Sequence, residues 1–288
     1  MTIEIVERPA FHVAGMSILT KPMSPQIPAL WPKFIARSPE IEGRSEPNVT
    51  YGVMRHEPPD SLFYMAGVAV PAAARAPAAM EIREIAAGSY ARFQYPIARL
   101  GEGFGEIFGR LLPSSGRVQA PGYLLERYDE SFDPQDVNSL VEILIPVLGS
   151  MTIVRRIKAL PAVVFDLLIA PAGLKQWIGP DAGPVVIAES DARVGGSYRL
   201  RFRMLSGSEY ESSGEYLEVD APRRLVTTWT WADDAGKQAS RVEIGLRQIE
   251  EGTELTFTHA LLPDQSTADG HRKGWSKSLD KLTMAAER

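Results

Sequence analysis

Two successive patterns of apolar and polar positions, both rich in predicted β-strands, divide the chain near residue 150. The first pattern ends in the apolar strand Leu140–Val147, and the second begins with another strand, Met151–Ile157. Each pattern is complete in itself, and 288 residues are enough to bury two separate cores. The sequence therefore predicts two α+β domains, over residues 1–148 and 152–288.

Within the first half, one order of elements occurs twice: a strand, a helix and a β-hairpin. The first copy comprises a strand over Thr2–Leu19, a helix within Ile27–Ile35 and hairpin strands Thr50–Arg55 and Leu62–Val70. The second comprises a strand over Met80–Pro96, a helix over Gly101–Leu112 and hairpin strands Tyr123–Tyr128 and Ser139–Val147. A duplicated unit of this kind predicts one continuous sheet with a pseudo-twofold axis and a groove between the two helices.

The first helix has an apolar side with helical spacing, formed by Leu30, Trp31 and Phe34. Pro32 lacks a backbone N–H and is tolerated in the first turn of a helix. We therefore expect this helix to start close to Leu30 or Trp31.

Five short strings in the first half form a recognisable pattern. They are Ile27…Leu30-Trp31…Phe34, Tyr51-Gly-Val, Tyr64-Met-Ala-Gly67-Val, Leu125-Glu126-Arg-Tyr128 and Glu142-Ile-Leu-Ile-Pro146. The pattern resembles the GyrI-like effector-binding domain, which includes drug-binding domains of transcription activators and stand-alone ligand-binding proteins. The resemblance implies that a carboxylate in the strand Leu125-Glu126-Arg127 lies at the floor of an aromatic cleft and attracts cationic or polarised aromatic ligands. Some members resemble hydrolases that use this glutamate on strained electrophiles.

Glu126 is the residue on which this hypothesis depends. It interrupts the apolar run Tyr123–Tyr128, and a buried carboxylate without a partner is costly. Aromatic faces beside a carboxylate favour flat cations, and burial raises the pKa of a glutamate toward the range of a general acid or base. The alternative is an exposed glutamate paired with Arg127 or Arg55. Aligning the two hairpins of the duplication places Met54 at the position of Glu126.

Four aromatic side chains are expected to line the cleft around Glu126: Trp31, Tyr51, Tyr64 and Phe93. Leu144 is included because the family often has an aromatic residue at its position, and this departure predicts a less enclosed cleft. For each aromatic side chain, a place in the hydrophobic core is the alternative to ligand contact.

The second half contains a strand, two short helices, a long antiparallel run of strands and a final helix. The strand Tyr198–Met204 alternates strictly, with apolar residues on one face and three arginines on the other. Later strands are predicted over Gly214–Val219, Leu225–Trp231, Ser240–Leu246 and Thr253–His259, with a turn at Asp233–Gly236. The final helix, Gly274–Leu282, has Trp275 and Leu279 on its apolar side. A curved sheet around one long helix leaves a cavity between them.

Motifs throughout this half form a second recognisable pattern. They are Phe165…Leu174-x-x-Trp177-Ile-Gly-Pro180, Asp191-x-x-x-Gly195-Gly-x-Tyr198, Gly214-x-x-Leu217-Glu-Val-Asp-Ala-Pro222-x-x-Leu225-Val-x-Thr-Trp229-x-Trp231, Thr253-x-Leu-x-x-Thr-His259 and Gly274-Trp275. The pattern resembles the SRPBCC (START-like) superfamily, in particular the branch of heat-shock ATPase activator homologues, and implies a helix-grip fold. Functions in that superfamily range from carriage of lipid or aromatic ligands to contacts with chaperones.

A second pocket is expected between the sheet and the helix of this half. Its candidate residues are Trp177, Tyr198, Phe202, Trp229, Trp231 and Trp275. Trp229 and Trp231 are two residues apart in one strand, so their side chains share a face. A tryptophan-rich core is the alternative reading of these residues.

Composition restricts the classes of function. Residues 1–150 carry 13 basic and 17 acidic side chains, and residues 151–288 carry 18 and 19, so a nucleic-acid surface is not expected. The absence of cysteine excludes disulfides, thiolate catalysis and cysteine zinc sites. Four histidines, His12, His56, His259 and His271, show no metal-ligand spacing, and we interpret His259 as structural. We expect no metal and no cofactor.

The N-terminus has no signal segment, and no apolar run reaches the roughly 18 residues of a membrane helix. We therefore expect a cytoplasmic protein without a membrane partner. No helix-turn-helix precedes the first pattern, so we do not expect a transcription factor of the usual kind.

Three functions remain open. The leading hypothesis is a cytoplasmic protein that senses or sequesters small aromatic, cationic or amphipathic compounds, with a pocket in each domain. The second is a hydrolase that uses Glu126 on strained or electrophilic small molecules. The third is a protein-directed role, as an inhibitor or a co-chaperone-like module, although the sequence identifies no protein partner.

Overall fold

The structure is a computed structural model that describes residues 3–234, 236 and 238–288. The chain divides into two compact units, Met1–Leu148 and Gly149–Arg288, and each contains one antiparallel sheet with helices. Thr2 of the predicted first strand and Ala235 of a predicted turn lie outside the described residues. None of the helices in the described part of the chain combines the length and apolar character that crossing a bilayer requires.

The first unit is built on an eight-stranded sheet. Its strands are β1 (Glu4–Arg8), β2 (Phe11–Thr20), β3 (Thr50–Glu57), β4 (Ser61–Val70), β5 (Glu81–Ile85), β6 (Gly88–Pro96), β7 (Leu124–Tyr128) and β8 (Leu140–Pro146). Their order across the sheet is β1-β6-β8-β7-β3-β4-β2-β5. The regions predicted as single strands over 2–19 and 80–96 are each two strands. In the first, Pro9 has no N–H to donate to a ladder, and the pairing is interrupted there.

The helices of the first unit are α1 (Gln26–Arg37), α2 (Leu100–Glu106) and α3 (Leu112–Ser114), and a π-helical turn over Ile107–Leu111 joins the last two. The predicted start of the first helix was wrong, because α1 begins at Gln26 and contains Pro32 in its interior. Pro32 removes one backbone hydrogen bond. Burial of Leu30 and Phe34 in the core stabilises the helix in spite of this loss.

Alternate residues of the central strands are buried on two different faces of this sheet. One face, here called the helix face, packs Met54 and Tyr64 together with Leu30 of α1. The other, here called the opposite face, packs Tyr51 and Leu144 in a separate core. Both faces are apolar, so the strands lack the simple alternation of a half-exposed sheet.

The second unit is built on a seven-stranded sheet and a long C-terminal helix. Its strands are β9 (Gly149–Ile157), β10 (Val185–Ser190), β11 (Ser197–Arg203), β12 (Glu209–Asp220), β13 (Arg224–Trp231), β14 (Ser240–Ile249) and β15 (Gly252–Leu262). Their order is β10-β11-β12-β13-β14-β15-β9. The helices are α4 (Pro161–Ile169), α5 (Pro171–Trp177) and α6 (Gln265–Ala286).

Helix α6 packs against β9, β15, α4 and α5. It starts nine residues before the predicted Gly274, because Asp264 caps it by accepting a 2.7 Å hydrogen bond from the Thr267 N–H. Trp275 and Leu279 are buried on its inner side, as the helical spacing predicted.

Candidate ligand-binding sites

The helix face of the first unit contains a cavity of about 1240 Å³, here called the first cavity. It lies between the two helical segments and strands β3, β4 and β7. Its lining is mostly apolar and aromatic, and includes Ile27, Trp31, Ile35, Met54, His56, Leu62, Tyr64, Leu100, Phe104, Phe108, Leu124, Glu126, Tyr128 and Phe132. Among the described residues that line it, Glu126 is the one acidic side chain, and none is a lysine or arginine.

The Glu126 carboxylate is held by two tyrosine hydroxyls. Glu126 is only 6% exposed, and its Oε2 atom accepts hydrogen bonds from Tyr64 at 2.7 Å and from Tyr128 at 3.0 Å. The Tyr64 hydroxyl in turn accepts a 3.0 Å hydrogen bond from the Trp31 indole N–H. Both tyrosines bond Oε2, so Oε1 is the oxygen left for a ligand.

Gly52 provides the space that this carboxylate occupies. Gly52 of β3 lies opposite Glu126 of β7 in the sheet register. A Cβ atom on residue 52 would lie 2.4 Å from Glu126 Oε2 and 2.6 Å from the Tyr64 hydroxyl. Any side chain at position 52 would therefore displace the carboxylate or the phenol that binds it.

Burial determines the protonation behaviour of this group. It raises the pKa of Glu126 above the ordinary value, while the hydroxyls of Tyr64 and Tyr128 oppose the shift by stabilising the ionised form. Burial and then the nearby carboxylate raise the pKa of both tyrosines well above the ordinary range. The phenols thus stay protonated and act as donors to Glu126.

The alternative reading of Glu126, as an exposed residue paired with arginine, does not fit this geometry. Arg127 pairs with Asp129 at 3.6 Å and with Glu142 at 3.4 Å. Arg55 is paired with Glu57. Glu126 is instead buried among apolar and aromatic side chains.

Three of the six residues predicted for the first pocket line this cavity: Trp31, Tyr64 and Glu126. Tyr51 and Leu144 do not, because strand alternation directs them to the opposite face, where both are fully buried. Phe93 packs against the helix-face core but is not part of the lining.

Several lining residues were not predicted. Tyr128 lies two positions after Glu126 in the same strand, so period-two alternation was a signal that would have found it. Phe104 and Phe108 belong to the helix predicted over Gly101–Leu112, and both line the cavity with their rings stacked and 6.5 Å between the ring centroids. Gly52 stands in the string Tyr51-Gly-Val, but its role was not predicted, because that role depends on the pairing of β3 with β7.

The second unit contains a smaller cavity of about 270 Å³, here called the second cavity. Four of the predicted residues line it: Phe202, Trp229, Trp231 and Trp275. Its other lining residues are Ile178, Gly179, Pro180, Met204, Tyr210, Gly270, His271, Gly274 and Ser278. It therefore lies between strand side chains and helix α6, where the fold predicted a pocket.

Trp177 and Tyr198, the other two predicted residues, belong to the core beside this cavity. Both are buried, and their polar atoms are used internally. The Trp177 indole N–H donates to the Leu167 carbonyl at 2.9 Å, and the Tyr198 hydroxyl donates to the Thr228 carbonyl at 2.7 Å.

His259 is a fully buried, hydrogen-bonded histidine. Its Nδ1 accepts the Trp275 indole N–H at 3.0 Å, and its Nε2 lies 2.8 Å from the Ser240 hydroxyl. The ring is therefore neutral with its proton on Nε2. Burial, followed by the nearby His271, lowers the pKa of His259 to about 3. Across the described residues, no group of three or more His, Cys, Asp or Glu is placed to hold a metal ion.

Comparison with known proteins agrees with this division of the chain. Residues 1–148 match the GyrI-like small molecule binding domain, and residues 158–287 match the Activator of Hsp90 ATPase homolog 1-like family. The transcriptional regulator BrlR of Pseudomonas aeruginosa is 35% identical over 150 residues, which cover 51% of this chain and 56% of BrlR. The chain thus spans little more than half the length of this relative.

Solved structures similar to this chain each cover about half of it. A protein of Chromobacterium violaceum is 27% identical and aligns over 49% of this chain and 99% of its own, with a TM-score of 0.45. The AHSA1 protein of Silicibacter pomeroyi is 26% identical, over 47% of this chain and 96% of its own, with a TM-score of 0.44. From the match to more than half of its residues, the chain belongs to the GyrI-like small molecule binding domain family, and its remaining part is similar to the Activator of Hsp90 ATPase homolog 1-like family.

Proposed function

We propose that the chain is a cytoplasmic small-molecule receptor whose first cavity binds flat aromatic cations or polarised aromatic compounds. The observation that carries this proposal is the buried Glu126 carboxylate, which has no lysine or arginine beside it among the described lining residues. A carboxylate in apolar surroundings without a countercharge is unfavourable. A cationic ligand supplies that countercharge and has Oε1 available to it.

The aromatic residues of the first cavity support the same ligand class. The Trp31 ring lies 4.8 Å from the ring of Tyr128, close to the carboxylate. Phe104 and Phe108 supply further ring surface from the helical side. Aromatic faces attract cations through the ring quadrupole, which adds to the attraction of Glu126 itself.

The predicted duplication is part of this proposal. It is supported by the strand order, in which β6-β8-β7 of one copy mirrors β2-β4-β3 of the other. Glu126 of β7 and Gly52 of β3 lie at the centre of this arrangement. Met54 has the position in the first copy that Glu126 has in the second. Glu126 therefore gives its half of the groove a negative charge that Met54 does not give to the other half.

Binding of a matched pair of probes tests the role of Glu126. The pair is 10-methylacridinium, a permanent cation, and acridine, which is neutral at mildly alkaline pH. Titration calorimetry should show that Glu126→Gln weakens binding of the cation by about 1.5–3 kcal/mol, because a charge-assisted contact is lost. Acridine should bind the two proteins nearly equally.

Glu57→Gln is the matched control, because it makes the same chemical change at a residue that is paired with Arg55 outside the cavity lining. Equal affinity of the cation for wild type and Glu126→Gln would overturn the proposal. So would an equal loss of affinity for both probes.

The raised pKa of Glu126 favours one second candidate, a hydrolase of strained electrophiles. For an epoxide, the oxygen of a water molecule bonds to a ring carbon, the ring C–O bond breaks, and Glu126 takes the water proton. Glu126 then transfers this proton to the former ring oxygen, which yields a diol and restores the carboxylate. Styrene oxide is a suitable substrate, and Glu126→Gln should abolish its turnover and retain its binding. If the wild-type protein binds styrene oxide without turning it over, the hydrolase is contradicted and the receptor function stands.

A further inference from the structure

The second cavity differs from the first because none of its described lining residues has a charged side chain. Among its described lining residues there is no lysine, arginine, aspartate or glutamate. His271 is the one titratable imidazole, and burial lowers its pKa below the ordinary value, so it is neutral at physiological pH. An ion would find no countercharge here, and an uncharged aromatic ligand would find aromatic walls.

Part of the backbone of helix α6 faces this cavity directly, because two glycines lie on that side of the helix. Gly270 and Gly274 are four residues apart, so they lie one above the other on the same side of the helix, and both line the cavity. A Cβ atom built on either glycine meets nothing within 4 Å. Glycine is unfavourable in the interior of a helix. Two glycines at this spacing therefore keep open a space that alanine would partly fill.

Trp229 provides an independent observation at the same place. It is 5% exposed and lines the cavity, and its Nε1 is buried without a hydrogen-bond acceptor among the described residues. The indole N–H groups of Trp177 and Trp275, by contrast, both have acceptors. A buried N–H without an acceptor is rare and unfavourable.

We propose that the second cavity binds an uncharged, flat, two-ring aromatic compound that carries one hydrogen-bond acceptor. The rings of this compound pack on the exposed backbone at Gly270 and Gly274. Its acceptor atom accepts a hydrogen bond from the Trp229 N–H after a small adjustment of the indole. The cavity volume of about 270 Å³ fits two fused rings, since an apolar cavity of roughly 150 Å³ takes benzene. This inference rests on the proposed receptor function and assigns a ligand class to the second unit.

Naphthalene and quinoline test the proposal, because they have nearly the same shape and only quinoline has an acceptor nitrogen. Binding to the full chain is measured by calorimetry at neutral pH. Gly270→Ala and Gly274→Ala should each weaken both probes at least about tenfold, since a methyl group takes up space in the cavity. Their melting temperatures should stay the same or rise, because alanine favours the helix. Lys273→Ala, at an exposed site of the same helix, should change neither probe's affinity.

Trp229→Phe separates the hydrogen bond from the shape of the cavity. It should reduce the preference for quinoline over naphthalene by about three- to tenfold. Unchanged binding in both glycine variants would overturn the proposal, as would an unchanged preference in Trp229→Phe. Glu126→Gln should bind quinoline as wild type does. If 10-methylacridinium binds through Glu126 and neither neutral probe binds the second unit, this inference fails while the proposed function of the first cavity stands.

Discussion

Gly52 and Glu126 lie directly opposite one another on neighbouring strands, and the carboxylate occupies the space into which a side chain at position 52 would project. The bond from Tyr64 to Glu126 depends on the same space, because its hydroxyl is equally close to that point. The acid is therefore held in the first cavity by the lack of a side chain in the adjacent strand as well as by hydrogen bonds.

Gly52→Ala should accordingly disturb the carboxylate. We expect a loss of about 1–3 kcal/mol in the free energy of unfolding, because the added methyl group overpacks a buried site. Affinity for 10-methylacridinium should fall as well, since Glu126 must turn away from Tyr64. Urea unfolding and calorimetry measure the two effects. Gly245→Ala is the control, because that strand glycine has open space around its Cβ position; equal behaviour of the two variants would contradict the assignment.

The two tyrosines that bind Glu126 should differ in their contribution to stability. Tyr64 donates to Glu126 and also accepts from the Trp31 indole, whereas Tyr128 donates to Glu126. Tyr64→Phe should cost about 1–3 kcal/mol, because it also leaves the Trp31 N–H without its acceptor, and Tyr128→Phe about 1 kcal/mol. Denaturant unfolding compares them. A larger loss in Tyr128→Phe would be inconsistent with the hydrogen-bond chain described here.

The pH dependence of stability should reveal the raised pKa of Glu126. A group whose pKa is higher in the folded state contributes stability that is complete below its unfolded value, near 4.5, and is lost as the pH rises through the folded value. The amide introduced by Glu126→Gln cannot ionise, so the variant does not undergo this loss. The stability of Glu126→Gln relative to wild type should therefore increase from acid to neutral pH. Parallel unfolding free energies at all pH values would show that the pKa is not raised.

His259 should have the opposite effect on the second unit. Its pKa is lowered from 6.5 to about 3, so its contribution to stability is present above pH 6.5 and is lost as the pH falls toward 3. The shift corresponds to a loss on the order of 5 kcal/mol. His259→Gln should be less stable at neutral pH but less sensitive to acid. The fluorescence of the four tryptophans in this unit reports its unfolding, and unaltered acid sensitivity in the variant would contradict the prediction.

Each unit should fold when produced alone. Residues 1–148 and 149–288 each contain a complete sheet and core, and compact units of this size usually fold independently. Amide proton NMR spectra of the two fragments test this. Narrow, random-coil dispersion from either fragment would show that its fold requires the rest of the chain.

Local sequence patterns predicted most of the elements and part of each candidate site. Spacing within a single strand is enough to place Trp229 and Trp231 together, and both line the second cavity. Glu126 was identified because a charged residue within an apolar strand is costly to bury unless it has a partner or a function. These features depend on neighbours in sequence, which is the information that periodicity contains.

Features that depend on the packing of distant segments were not predictable in the same way. Tyr51 and Leu144 were assigned to the first pocket, but apolar residues cover both faces of that sheet, so alternation did not reveal which face carries the helices. Trp177 and Tyr198 look like pocket residues by composition, and only their internal hydrogen bonds assign them to the core. The short strand β10 was missed because Val185–Ser190 is a partly exposed edge strand of six residues.

The placement of both tyrosine hydroxyls on Oε2 gives the Glu126 carboxylate a directional preference. Guanidines and amidines bind a carboxylate best as a fork, with two parallel N–H bonds to its two oxygens. At Glu126 one oxygen already accepts two hydrogen bonds, so a forked ligand would find a single free partner. The first cavity should therefore bind forked cations, which need both carboxylate oxygens, less well. It favours ligands that present one N–H, or a delocalised positive charge with no N–H at all.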